Sequence, residues 1–300
     1  MLKIAYHPIF KHNLPLGHRF PMSKYELLHR QLLHEGTCEP QNFFKPGMPD
    51  DKDILAVHTP DYVQQLRDLS LDKKAVRKLG FPLSAKLVER EHLITQGTIR
   101  GAQLAMDNGI AMNIAGGTHH AYTDHGEAFC LFNDQAIAAS WLIRNKKAKK
   151  VLIVDLDVHQ GNGTAEIFSN TQEVFTFSMH GAGNYPFKKE VSDLDIALAD
   201  GTGDQEFLGA LQETLPGLIK EQQPDFIFYL SGVDIIESDK LGRLACSVEG
   251  CKKRDQYVLK ACHDAGIPVQ VSMGGGYSPD IKTIIECHAN TYRAAQEIFF

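Results

Sequence analysis

The sequence predicts an α/β fold: one domain spanning residues 1–300, built on a mostly parallel β-sheet with helices on both faces. Three observations predict it. Short apolar runs of strand length alternate with helical patterns of ten residues or more, which is the signature of βαβ units. Val151 to Val154 is apolar throughout, as a strand buried on both faces of a parallel sheet must be. Several runs are followed by glycine-bearing polar loops, and in a parallel sheet such loops emerge on one edge.

In chain order, Leu2 to Tyr6 reads as the first strand, and a loop rich in His, Pro and Gly follows as far as Pro21. Ser23 and Glu26 form a capping-box pattern ahead of a leucine stripe that stops at Gly36, which predicts a helix. Ile54 to Val57 reads as a short strand, and Thr59-Pro60 has the cap-then-proline order of a helix start. A long helix is expected from Ser84 to Asn108, closed by Gly109. Strands at Ile110–Ala115, Val151–Val154, Val174–Ser178, Phe226–Leu230 and Pro268–Ser272 alternate with helices at 133–146, 205–221, 252–265 and 281–299, with a long loop between Ser178 and Gly203. No internal repeat interrupts the pattern.

Composition narrows the class. With 43% hydrophobic and 23% charged residues the chain is ordinarily globular, and a net charge of -6 lacks the basic surplus of a general nucleic-acid binder. The basic run at 144–150 reads as a solvated helix end. Six cysteines show neither zinc-knuckle spacing nor a compact disulfide framework, so they read as reduced thiols. The amino terminus lacks a signal-peptide core and no run reaches membrane-spanning length, which predicts a cytoplasmic protein with no membrane partner. Oligomeric state is left open.

The chemistry centres on Val151 to Thr164. Directly after the apolar strand, Asp155, Asp157 and His159 occupy alternate positions, and side chains of extended backbone alternate in direction. A single Asp in such a place is usually a cap or turn former, and a lone His is usually structural. Three together beside a core are harder to explain that way, because uncompensated buried charge is costly. Further loops follow the other strands: Gly116-Gly117-Thr118-His119-His120, Ser231-Gly232-Val233-Asp234 and Gly274-Gly275-Gly276-Tyr277. All emerge on the edge that carries Asp157 and His159, so Asp234 can supply a third ligand. An Asp-His-Asp set leaves open positions for water and a substrate oxygen.

These motifs, with Phe129-Cys130 and the full Asp155 to Thr164 run, resemble the histone deacetylase family in order and spacing across nearly the whole chain. Within it, Leu79 to Leu83, the segment 234–242 and the compact length resemble class IV enzymes and their bacterial relatives. The resemblance implies the arginase-deacetylase fold. It implies that Asp157, His159 and Asp234 bind catalytic zinc, with iron(II) as an alternative, and that His119 and His120 face the reacting water. It pairs His119 with Asp155 and His120 with Asn162, and gives Tyr277 the substrate carbonyl oxygen. Phe129 and Tyr185, with Gly117 and Gly275, would form the channel for a lysine stem. Asp155, Asp157, His159, Ser178 and Met179 match a structural potassium site, and Phe168, Thr171 and Val174 match a second.

The implied activity is hydrolysis of an acetyl or longer acyl group from the ε-amine of lysine, on a protein, a peptide or a small N-acyl amine such as an acetylpolyamine. A carboxylate partner favours a cationic His119 and an amide partner a neutral His120, which makes His120 the better general base. The class IV likeness adds an expectation of long-chain substrates, myristoyl at least matching acetyl. Many family members grip the substrate backbone with an acidic loop residue, whereas Gly80-Phe81-Pro82 offers no acid, which leaves protein and small-molecule substrates both open. Two other classes compete: a binuclear arginase-type ureohydrolase, for which the loops supply too few carboxylates, and a non-catalytic acyl-lysine binder.

Overall fold

The computed structural model describes all residues, 1–300, and shows an eight-stranded sheet in which every pairing is parallel. The elements run β1 (Lys3–Ala5), α1 (Lys24–His34), β2 (Phe43–Phe44), α2 (Asp51–Ile54), α3 (Pro60–Arg67), α4 (Lys73–Leu79), α5 (Ala85–Asn108) and β3 (Ile110–Asn113). They continue with α6 (Asp134–Arg144), β4 (Val151–Asp155), α7 (Asn162–Phe168), β5 (Val174–Gly181), β6 (Leu194–Leu198), α8 (Asp204–Gln222), β7 (Phe226–Leu230), α9 (Val248–Asp264), β8 (Val269–Ser272) and α10 (Ile281–Phe299).

Spatial order across the sheet is β2-β1-β3-β8-β7-β4-β5-β6. Parallel crossovers are right-handed, so the direction in which the chain steps decides which face a helix covers. From β1 to β3, β3 to β4 and β4 to β5 the chain steps one way, placing α5, α6 and α7 on one face. From β6 to β7 and β7 to β8 it steps back, placing α8 and α9 on the other, where α10 and α1 continue the row. The four middle strands β3, β8, β7 and β4 therefore send their exit loops to opposite faces, β3 and β4 to one and β7 and β8 to the other, so the direction switches between β3 and β8 and again between β7 and β4. That reversal opens a crevice at the carboxyl edge, the place where such sheets hold ligands. The central strands β4 and β7 are fully buried, and Val151 to Val154 and Phe226 to Tyr229 belong to one continuous apolar core.

Most predicted elements are present, and the departures have local causes. Ile54 to Val57 is not a strand: α2 ends at Ile54, and the Val57 and His58 amides both donate to the Ile54 carbonyl. Four apolar residues do not distinguish a strand from a buried helical turn, and Asp51 and Asp53 favour the helix start. The real edge strand is β2, two residues long and paired with β1. Ser23 makes no capping bond, because its own backbone is already helical (φ -67°, ψ -17°), and Glu26 turns to Lys11 and Arg30. By contrast Thr59, Ser84 and Asn133 cap α3, α5 and α6 through their side chains. Helices α4 and α7 and edge strand β6 were not foreseen; β6 lies in a charged, half-exposed segment with no clear period. All six cysteines are free and buried, as expected. No helix is long and apolar enough to cross a membrane.

One buried cation ties the two sides of the crevice together. Arg254 of α9 is fully buried, sits 2.8 Å from Asp255, and donates to the carbonyls of Leu156, after β4, and Gly232, after β7. Asp255 also accepts from Tyr229 and Thr291. Arg254→Leu should cost about 3–5 kcal/mol, because it leaves a buried carboxylate without its partner. Chemical denaturation of the variant checks this, and a loss below about 1 kcal/mol would show the pair to be dispensable.

Candidate active site

Extended backbone ends at Asp155, before either Asp157 or His159 is reached, so strand alternation alone does not place them. Beyond it the carboxylates fold back on the main chain: Asp155 Oδ1 accepts from the Asp157 amide at 3.1 Å, and Asp157 Oδ1 from the His159 amide at 3.0 Å. These turns keep positions 155, 157 and 159 on the crevice side although the strand is over. From β7, Asp234 arrives opposite and accepts the Val158 amide at 3.0 Å through Oδ1. Asp157, His159 and Asp234 then offer ligand atoms within 4.8 Å of one another, all from buried residues. His159 Nδ1 lies 3.0 Å from Asp157 Oδ1 and 3.2 Å from Asp234 Oδ2.

Backbone supplies the rest of the cradle. The Gly275 amide donates to Asp157 Oδ2 at 2.8 Å. A Cβ at Gly275 would stand 1.9 Å from Asp234 Oδ2, and one at Gly232 2.2 Å from Asp157 Oδ2, so only glycine allows this approach. Electrostatics show how little of the negative charge is balanced. Burial lowers the tendency of His159 to ionise, but its contacts with Asp157 and Asp234 more than offset that and push its pKa up to about 10. Burial, then the charge of Asp157, raises Asp234 to about 7. A cationic imidazole is thus the only positive partner the protein gives both carboxylates directly. Asp234 Oδ2 is buried and accepts no hydrogen bond. An orphaned buried carboxylate oxygen among three convergent donors, one imidazole and two carboxylates, fits a divalent metal.

The loop after β3 contributes the histidine pair, with ring centroids 4.1 Å apart. His119 Nδ1 donates to Asp155 Oδ2 at 2.6 Å, and His120 Nδ1 to Asn162 Oδ1 at 2.6 Å. Burial depresses both rings, but the Asp155 carboxylate reverses this for His119 and raises its pKa. His120 has no such partner, and burial together with the charges of His119 and His159 holds it well below the ordinary imidazole value. Two adjacent histidines are therefore shifted in opposite directions, in the sense that the amide-versus-carboxylate pairing predicts. Asp134, at the start of α6, pins this loop by accepting from the Thr118 amide at 2.9 Å, the Thr118 hydroxyl at 2.7 Å and the Thr98 hydroxyl at 2.6 Å.

Tyr277 follows β8. Its amide donates to Asp239 Oδ2 at 2.6 Å, its ring lies 6.4 Å from that of His159, and its hydroxyl makes no hydrogen bond within the protein. Burial, reinforced by Asp234 and Asp157, raises its pKa well above the ordinary phenol value, so the hydroxyl keeps its proton. Phe129 and Tyr185 line a cavity of about 430 Å³ whose floor includes His120, His159 and Tyr277. Behind the floor is a chamber of about 40 Å³, to which Gly117 and Gly275 contribute along with Tyr25, Arg90 and Ile94.

Of the residues matched to potassium sites, Asp155 and Ser178 are direct neighbours in the β4–β5 register, with Met179 next along β5 and Asp157 and His159 in the turn beyond β4. Phe168, Thr171 and Val174 form the turn between α7 and β5, where the Phe168 and Thr171 carbonyls already accept amide hydrogens. Sequence reading missed Asp134, Asp239, Arg254 and also Lys24, which is fully buried, donates to the Gly274 carbonyl at 3.1 Å, and is pushed down to about 8 by burial. These residues carry no motif of their own; a buried charge is visible only once its burial is known.

Comparison with known proteins agrees with this geometry. The histone deacetylase domain matches residues 18–294. An uncharacterized protein of Picosynechococcus is 43% identical over 296 residues, covering 99% of both chains. Histone deacetylase 2 of Arabidopsis thaliana is 28% identical over 277 residues, covering 89% of this chain and 72% of that one. The crystal structure of the HDA15 HD domain superposes with a TM-score of 0.82 at 21% identity, covering 99% of this chain and 88% of that chain, and so shares the fold. With the domain match running almost end to end, the chain belongs to the histone deacetylase family, whose members are deacetylase hydrolases.

Proposed function

We propose that residues 1–300 form one catalytic domain that hydrolyses the acyl amide of an Nε-acyl-lysine, using zinc or alternatively iron(II) held by Asp157, His159 and Asp234. The observation that supports this best is the convergence of that triad beside one small chamber lined by Asp157, His159, His119, His120 and Tyr277, with His119 and His120 shifted in opposite directions by their partners. When bound, such an ion lowers the pKa of water to roughly 7 and polarises a carbonyl. His120 Nε2 accepts the proton of the attacking water and returns it to the departing amine. His119, whose tendency to carry charge Asp155 raises, supports the positive potential where the oxyanion forms. Tyr277 donates its hydroxyl hydrogen to that oxyanion. Phe129 and Tyr185 hold the aliphatic stem and exclude water. The potassium matches are structural sites in this reading, and class IV kinship and a cytoplasmic place belong to it as well.

The small chamber favours acetyl. A water needs about 10–15 Å³ of such space, so a chamber of about 40 Å³ takes an acetyl group and not a fatty chain. The long-chain preference expected from the class IV likeness draws no support from it. A binuclear ureohydrolase is disfavoured because the chain holds a single group of three or more convergent ligands. A purely binding role leaves the opposite shifts of His119 and His120 without a use.

Metal content tests the ligand set. Asp157→Ala, His159→Ala and Asp234→Ala should each purify without stoichiometric zinc and without deacetylase activity; a variant with full occupancy and normal turnover removes that residue from the set. Kinetics test the catalytic roles. Tyr277→Phe should lose on the order of 100- to 1000-fold in kcat on an acetyl-lysine peptide with little change in binding, and His120→Ala should be the weaker catalyst of the two histidine variants. A near-normal Phe variant, or a His119→Ala chain slower than His120→Ala, would overturn the assignment concerned.

A further inference from the structure

We propose that the channel mouth selects an acyl-lysine set among acidic neighbours and rejects polycationic substrates such as acetylpolyamines. The proposal deepens the deacylase reading and rests on it for the chemical step. Arg19, Lys78 and Arg243 line the cavity of about 430 Å³, and no Asp or Glu does, although the chain as a whole carries a charge of -6. Lys78 is committed to the buried Glu127 at 2.5 Å. Arg243 reaches Asp200 at 3.2 Å across a solvent-exposed pair, a contact that an incoming anion readily exchanges. Arg19 has no carboxylate partner and lies 5.0 Å above the ring of Phe129, on the channel wall itself. A guanidinium placed there offers its planar fork to a carboxylate one or two residues from the acyl-lysine. A polyamine brings ammonium groups to the same spot and meets like charge, which impairs both encounter and register.

The test uses acetyl-lysine peptides identical except for four flanking residues, Asp/Glu in one and Lys/Arg in the other, with N-acetylspermidine as a third substrate. The acidic peptide should exceed the basic one by about tenfold in kcat/KM at low salt, with the gap narrowing in about 0.5 M NaCl. In the Arg19→Gln/Arg243→Gln chain it should shrink below about threefold. An advantage below about threefold in the unsubstituted chain, a reversed order, or N-acetylspermidine as the best substrate overturns the proposal. Fluorescence anisotropy of both peptides on Tyr277→Phe reads the same preference without turnover. Retained acidic preference in a chain that hydrolyses nothing sinks the deacylase reading alone.

A separate hydrogen-bond network assigns Glu127 as a positioning residue for His120. The Asn162 amide can present either its oxygen or its nitrogen to an imidazole, and the two orientations demand opposite tautomers. With the oxygen toward Nδ1, the ring carries its proton there and Nε2 is free to accept one. With the nitrogen toward it, Nε2 holds the proton and the base is lost. Glu127 Oε1 lies 2.6 Å from Asn162 Nδ2. Tyr122 Oη lies 3.0 Å from the same nitrogen, and its own hydrogen goes to Glu190 at 3.2 Å. An ionised carboxylate only accepts, so the Asn162 nitrogen must face Glu127 and its oxygen must face His120. Glu127 is 3% exposed; burial opposes its charge, and His125 and Lys78 more than offset that and keep it ionised.

Glu127→Ala should lower kcat by about 10- to 100-fold with KM within about threefold, and Glu127→Gln, which keeps an acceptor, should recover most of the loss. The double variant Glu127→Ala/Asn162→Asp should restore the Nδ1-protonated tautomer without restoring full activity, because a carboxylate at 162 accepts in either orientation but favours a cationic ring. Imidazole ¹⁵N spectra should show His120 protonated at Nδ1 in the unsubstituted chain and a tautomer mixture in Glu127→Ala. An unaltered tautomer in Glu127→Ala, or a loss that Gln does not restore, reduces Glu127 to a structural role.

Discussion

Concentrated negative charge in a buried crevice is the constraint to which the rest of this structure answers. Asp155, Asp157 and Asp234 are each at most 3% exposed and lie in one small region. Removing a carboxylate from water costs several kcal/mol, and the cost is recovered only by close positive partners and directed donors. Asp155 has His119, Asp157 has the amide of Gly275, and Asp234 shares the neighbourhood of His159 with Asp157, its Oδ2 lying 3.2 Å from Nδ1 without accepting a hydrogen bond. Lys24 adds a deep cation below Tyr277, its Nζ 5.5 Å from the ring centroid. Such an arrangement is stable only if the fold over-determines it. Arg254, spanning the exits of β4 and β7 from behind, and the close-approach glycines 232 and 275 do so.

The same crevice separates two adjacent imidazoles into different chemical roles. His119 and His120 are neighbours in sequence with rings 4.1 Å apart, yet a carboxylate holds one and an amide the other. Their difference lies in what the end of β4 and the start of α7 present to them. An amide partner avoids a second negative charge in an already acidic site, but it carries an orientational ambiguity that a carboxylate does not. The Glu127–Lys78 pair at the channel wall links that ambiguity to the surface. Recognition at the mouth and proton handling at the floor are thereby joined through a few side chains.

Periodicity and composition determined the fold class, the long helix α5, the central strands β4 and β7 and the family-specific run from Asp155 to Thr164, because each is a local pattern of apolar spacing, caps and ligands. Their limits show at Ile54 to Val57, where four apolar residues fit a helical turn as well as a strand, and at β2 and β6, edge strands whose pairing partners rather than their own residues make them strands. Asp157 and His159 were legible as ligands because they alternate after a buried strand; Asp234, from 75 residues further on in the chain than His159, joined them only on the premise of a parallel sheet. What the tertiary structure alone decided was where the crevice opens and what surrounds it. The reversal of crossovers across β3, β8, β7 and β4 brings four loops together. The roles of Asp134, Glu127, Lys24 and Arg254 depend on burial and partners distant in sequence. An isolated charged residue on a helix reads as solvated surface until the fold removes it from water, and only then must it be paired.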